Sequence, residues 1–133
     1  MSDATRYVTG DDVIAYHRRI LLEYGQSPLV INAARLDAAI ARPQSTAFGE
    51  EAFPTLSEKA AALLQAIVIG HPFADGNKRA GLGAALLMLE LNGISRDTTL
   101  PPLYDFVIAV TTGELREVAD IAARLRELFP GLD

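Results

Sequence analysis

Two stretches of the chain, Ala60 to Ile69 and Leu82 to Leu91, are apolar on nearly every face a helix would present, broken only by Gln65 in the first and Glu90 in the second. A helix that is hydrophobic all round has no side to give to water, so each must be enclosed by other elements. The rest of the chain therefore has to form a shell around them. Thr55-Leu56-Ser57-Glu58 matches a capping box, in which the threonine hydroxyl and the glutamate carboxylate each satisfy an orphan backbone donor, and it starts the first buried helix. That helix is expected to end at Gly70 in a left-handed cap, with His71 directly after it. The second begins near Asn77 and runs to Asn92-Gly93, and Gly81 and Gly83 permit close approach of a neighbouring backbone.

The shell is legible as further amphipathic helices. Thr9 with Asp12 forms an N-terminal cap, after which Val13, Ile14, His17, Ile20, Leu21 and Tyr24 recur at helical spacing until Gly25. Asn32 caps a shorter helix to Ala41, with Ala33, Leu36 and Ile40 on one face, Arg35, Asp37 and Arg42 on the exposed side, and Pro43 as a stop. Leu103, Phe106, Val107 and Val110 mark a fifth helix ending near Gly113. Leu115, Val118, Ile121, Ala122, Leu125 and Leu128 mark a sixth, ending at Phe129-Pro130-Gly131. Leu29-Val30-Ile31 is the one weak strand candidate. Pro43 to Pro54 has no helical period, and reads either as a functional loop or short hairpin, or as a plain connection whose Phe48 and Phe53 plug the core. The expectation is an all-α fold: one domain over residues 1–133, a compact bundle of about six helices with a short flap.

Composition narrows the function classes. With no cysteine, disulfides and thiolate metal sites are excluded, and two histidines leave few zinc ligands. The polar, acidic N-terminus lacks a secretory signal, and no apolar run reaches the roughly 20 residues of a membrane span. The expected location is the cytoplasm, with no membrane partner. A net charge of -5 argues against a broad nucleic-acid face. Any anion site must be local.

Such a site is present in His71 to Arg79, HPFADGNKR. A helix start exposes unpaired N–H groups and a partial positive charge, and Gly76 lets the backbone wrap an anion. Asn77, Lys78 and Arg79 add an amide and two cations to the first turn, where cations oppose the usual charge preference unless a polyphosphate is bound. His71 can take a proton near neutral pH, and Asp75 is a hard oxygen ligand suited to Mg2+. Singly, each has a structural reading: His71 as a helix-terminating polar residue, Asp75 as a cap, Lys78 and Arg79 as a solvated face. Within nine residues they form the parts list of phosphoryl or nucleotidyl transfer. Pro72 stops the preceding helix and Phe73 anchors the loop. His17, on the apolar face of the first helix, reads as a satisfied core histidine.

HPFADGNKR resembles the signature of the Fic/Doc superfamily, whose members transfer parts of a nucleotide to a protein hydroxyl. The likeness extends to RLDAAIARP, KAAALLQAI, LMLELNG and TTGELREVADIAARL, nearly the whole chain. Fic enzymes typically carry glycine where this chain has Lys78 and a further arginine where it has Leu82. Both departures point to the Doc (death on curing) branch, toxins of toxin-antitoxin pairs. The resemblance implies the Fic/Doc fold, with His71 as the base that activates the acceptor hydroxyl and Asp75 as the Mg2+ ligand. It also implies Gly76 and Asn77 as the anion-binding turn, and Lys78 and Arg79 as phosphate contacts. Residues 43 to 54 occupy the position of the family's flap, which aligns the target polypeptide.

By the same resemblance, the expected reaction moves the γ-phosphate of ATP to a threonine of elongation factor Tu and arrests translation. AMP transfer and a non-catalytic nucleotide-binding module are the alternatives. The inhibitory motif [ST]xxxE[GN] of some Fic proteins does not occur in the sequence. Restraint is therefore expected from a separate antitoxin, whose disordered C-terminal segment folds on the toxin.

Overall fold

A computed structural model describes residues 4–26, 29–95 and 100–133. The first three residues of the polar N-terminal stretch lie outside it. Six α-helices are present among the described residues: α1 Gly10–Glu23, α2 Ala33–Ala41, α3 Leu56–Gly70, α4 Asn77–Leu91, α5 Leu100–Thr112 and α6 Val118–Leu128. A 3-10 turn, Arg42–Gln44, follows α2, and a hairpin of two short strands, β1 Thr46–Ala47 and β2 Glu50–Glu51, precedes α3. The all-α expectation holds.

Caps fix where the first three helices begin. Thr9 and Asp12 form the reciprocal box at α1, Asn32 accepts from the Arg35 N–H at α2, and Thr55 accepts from the Glu58 N–H at α3. At α3 the other half of the box differs from expectation, because the Glu58 carboxylate accepts from the Thr55 hydroxyl at 2.7 Å. The α-helix ends at Ala41 with Pro43 just beyond, as expected, though a 3-10 turn continues the chain. Pro43 sits at the start of the 3-10 turn, where its missing N–H has no acceptor to serve. The sixth helix begins at Val118, so Leu115 packs from the connection before it.

The long apolar helix α3 is the axis of the molecule. Leu64 and Val68 face a cluster with Leu103, Phe106 and Val110 of α5 and Ile121 and Leu125 of α6. Leu63 and Ile67 face a second cluster with Val13, Leu36, Ala84, Met88 and Phe73. Helix α4 packs along α3 at a glycine: a Cβ on Gly81 would lie 2.7 Å from Val68 Cγ2 and 3.2 Å from the Leu64 carbonyl. On α4's other flank, a Cβ at Gly83 would collide with the Tyr16 ring of α1. Both glycines thus act as expected, letting α4 nest between α3 and α1. Several shell assignments differ. In α2 the buried pair is Leu36 and Ala39, with Ala33 exposed. Arg42, expected in solvent, turns inward, donates to the Ala62 carbonyl at 2.9 Å and lies over the Phe53 ring.

Candidate active site

The nine residues HPFADGNKR form the turn between α3 and α4, from His71 to Gly76, and the first three positions of α4. Gly70 is the last residue of α3, and the left-handed cap is His71, at φ 50 and ψ 57. That corrects the expected Gly70 cap. Histidine is among the side-chain-bearing residues most often found in this region, yet the conformation still stores strain. The His71 N–H reaches the Ile67 carbonyl at 3.1 Å, and the Gly70 carbonyl accepts from Arg35 at 2.9 Å. A cation at a helix C-terminus is favoured by the macrodipole, so Arg35 of α2 clamps the end of α3.

Residues 29 to 31 clamp the turn from outside. The Ile31 N–H donates to the Pro72 carbonyl at 2.9 Å, the Ala74 N–H donates to the Leu29 carbonyl at 2.8 Å, and Val30 and Phe73 form an isolated antiparallel bridge. The weak strand candidate is therefore a single bridge whose purpose is the loop. Pro72 follows the end of α3 by two residues and Phe73 lies in the second core cluster, both as expected.

Asn77 is 8% exposed and its amide faces inward. Its Oδ1 accepts from the Phe73 N–H at 3.1 Å, and its Nδ2 donates to the Phe73 carbonyl at 3.0 Å and lies 3.2 Å from His71 Nδ1. The two Phe73 bonds set the orientation of the amide, so Nδ1 of His71 is the acceptor and a neutral His71 carries its hydrogen on Nε2. The side chain of Asn77 is thus committed to the loop.

Gly76, at φ 73 and ψ 27, is the N-cap of α4, and no side chain caps this helix. Asp75 is exposed beside it and makes no hydrogen bond or ion pair among the described residues. Its capping role, open from sequence, is not taken up. The first-turn N–H groups of α4 have no partner within the helix, and Lys78 and Arg79 beside them are exposed. The loop end and the first turn of α4 thus form an exposed rim that carries His71, Asp75, Lys78 and Arg79, with Gly76 half-buried between them, and the Asn77 side chain is bonded back to Phe73.

Helix α1 forms the floor of this rim. His17, 1% exposed, stacks on Phe73 with ring centroids 3.7 Å apart, and a Cβ on Gly76 would meet Leu21 Cδ2 at 2.7 Å. Neither His17 ring nitrogen has a hydrogen-bond partner, so it is a core histidine but not a satisfied one. Burial pushes it below its ordinary value, with the Asp75 carboxylate pulling the other way. Burial also raises the Tyr16 phenol, opposed by Arg19 and then Arg79. At the end of α1, Arg79 lies over the Tyr24 ring, 4.2 Å from its centroid. Sequence reasoning placed Tyr24 on the apolar face and missed this contact. The available signal was a terminal aromatic at the last position of the α1 stripe.

The flap is a hairpin with Thr46 opposite Glu51 and Ala47 opposite Glu50. Phe48 and Gly49 make its two-residue turn with φ 55 and 82, the sign pattern of the tight turn that suits strand twist. Phe48 is wholly exposed, which removes it as a core plug, while Phe53 is half-buried. Lys59, buried in α3, pairs with Glu51 at 3.0 Å and donates to the Phe53 carbonyl, tying the hairpin's base to the axis of the bundle.

Fold and loop together define an all-α architecture with an uncapped helix start between its two long apolar helices. The chain belongs to the Fic/DOC family, whose model matches residues 7–89. It is 37% identical over 123 residues to Toxin Doc of Mycolicibacterium smegmatis (strain ATCC 700084 / mc(2)155), spanning 91% of this chain and 92% of that protein. It is 36% identical over 124 residues to Protein kinase doc of Escherichia phage P1, spanning 93% and 96%.

Proposed function

We propose that the chain is the toxin of a toxin-antitoxin pair and acts as a protein kinase, moving the γ-phosphate of ATP to a hydroxyl of a protein target. The observation that carries this reading is the uncapped start of α4 with His71, Asp75, Lys78 and Arg79 all exposed within the nine residues around it. The names of the two relatives, a toxin and a protein kinase, support it. Lys78, in place of the glycine usual in Fic enzymes, favours γ-phosphate over AMP transfer by the resemblance to the Doc branch.

In the proposed reaction, the acceptor oxygen forms a bond to the γ-phosphorus, the bond to the bridging oxygen breaks, and ADP leaves. Lys78, Arg79 and the first-turn N–H groups of α4 hold the charge that spreads over the phosphate oxygens. The hydroxyl proton goes to His71. For Nε2 to accept it, the ring must carry its hydrogen on Nδ1, so the Asn77 contact opens before transfer. No group of three or more histidine, cysteine, aspartate or glutamate residues able to hold a metal exists among the described residues. Asp75 fits instead as the one protein carboxylate on a Mg2+ ion that arrives with the nucleotide phosphates. The ion would neutralise phosphate charge.

By resemblance, the acceptor is a threonine of elongation factor Tu, presented along the open main-chain edges of the flap, and the outcome is arrested translation in the cytoplasm. Control falls to an antitoxin whose C-terminal segment folds on the toxin. Residues Thr46 to Glu50, the nearest match to the inhibitory motif, form a hairpin rather than a helix, which agrees with restraint from outside. No described helix is long and apolar enough to cross a membrane.

The test uses Mg2+, a cell extract and ATP labelled at the γ or the α phosphate. Label on protein from the γ position alone is the expected result. Label from the α position replaces the kinase reading with AMP transfer, and ATP binding without transfer of either label leaves a binding module.

A further inference from the structure

Arg79 is the third residue of α4, where a cation is opposed by the helix dipole, and it has no ion-pair partner among the described residues. What meets it is the face of Tyr24, at 4.2 Å. Tyr24 is itself 59% exposed, a cost for an aromatic ring at the end of an otherwise buried stripe. We infer that Tyr24 is a positioning residue for Arg79, holding the guanidinium flat so that its N–H edge stays free for the phosphates of a nucleotide. This deepens the kinase reading and rests on its phosphate site.

The choice of a ring over a carboxylate matters chemically. A carboxylate would occupy the guanidinium fork with two parallel hydrogen bonds and would repel an incoming phosphate. An aromatic face attracts the cation through the ring quadrupole, uses only the flat side of the guanidinium and leaves its donors unspent. The ring is also well registered. Tyr24 is the C-cap of α1, and α1 is fixed to the loop and to α4 by His17 against Phe73, Leu21 against Gly76 and Tyr16 against Gly83. Gly25, at φ 67, ends the helix directly after it. Arg79 is thereby ordered before a ligand arrives, which lowers the entropy lost on binding.

The test is calorimetric titration of the full chain with sodium tripolyphosphate at low ionic strength, with an unfolding curve on each variant to report the fold. Tyr24→Leu keeps apolar bulk but removes the ring, and is expected to weaken binding about two- to five-fold. Tyr24→Phe should restore what leucine loses. In an Arg79→Gln background, Tyr24→Leu should cause no further loss, because the ring acts through the guanidinium. The inference is overturned if Tyr24→Leu binds like wild type, if Tyr24→Phe is as weak as leucine, or if the two losses add. Failure of the wild-type chain to bind tripolyphosphate would instead remove the phosphate site, and the inference with it.

Discussion

At His71 the backbone is left-handed, a conformation that costs a residue bearing a Cβ about 1 kcal/mol or more. Glycine escapes that cost. His71→Gly should therefore be more stable than His71→Ala by about 1 kcal/mol in urea unfolding, although both lose transfer. Equal stabilities, or the reverse order, would contradict the left-handed turn. The neighbouring Asn77 amide makes a second claim: nitrogen-detected NMR of the free protein should find the His71 hydrogen on Nε2, and a hydrogen on Nδ1 would mean that the Asn77 contact is absent in solution. At this scale the sequence shows which residues matter better than it shows how they are held. The loop's chemistry-bearing side chains are legible from their grouping. The left-handed residue is not, because glycine is the default there and Gly70 stood next to His71. The inward amide of Asn77 is set by Phe73 only once the loop between them has folded, and the inward guanidinium of Arg42 by Ala62, which a separate helix brings alongside.

Among the elements, α1 and α4 meet at Gly76, where a side chain faces both a positive φ and the Leu21 methyl. Gly76→Ala should cost about 2 kcal/mol and impair phosphate binding more than an alanine elsewhere on α4, as measured by urea unfolding and tripolyphosphate titration. An alanine tolerated without loss would mean that α1 does not press on the loop. Lys59 makes a different case. Lys59→Met keeps much of the volume and removes a buried ammonium, so global stability should change by no more than about 1 kcal/mol. Residues 46 to 51 should nonetheless lose amide protection in hydrogen exchange, since the tie to Glu51 and Phe53 is gone. Unchanged protection would remove Lys59 as the anchor of the flap. Helix starts are the elements best legible in sequence, because Thr9, Asn32 and Thr55 act locally. The hairpin is too short for alternation to reveal it, and the Val30 bridge exists only because Phe73 is brought alongside.

The whole molecule inherits a pH dependence from its core. Burial lowers the affinity of His17 for a proton relative to the unfolded chain, whose value lies near 6.5. Its contribution is therefore fully present above about pH 6.5 and is lost as the pH falls further, while the unfolded chain takes up a proton that the folded chain refuses. His17→Phe, which keeps a ring against Phe73, should flatten the decline in urea stability between about pH 7 and 5. Parallel curves for the variant and the wild type would show that His17 is not the group responsible. The bundle itself follows from two helices with no polar face, and that requirement is why the all-α class is readable without a structure. What joins the pieces is not readable: α1 as the floor of the site depends on glycines, rings and a left-handed histidine meeting in space.

The central claim is that His71 and the start of α4 move phosphate to a protein hydroxyl. Its most direct test is mass spectrometry of proteins from cells making the wild-type chain or His71→Ala. A phosphorylated hydroxyl on a translation factor is expected with the wild-type chain and none with the variant. An AMP adduct, or the same phosphorylation in both, would contradict the claim.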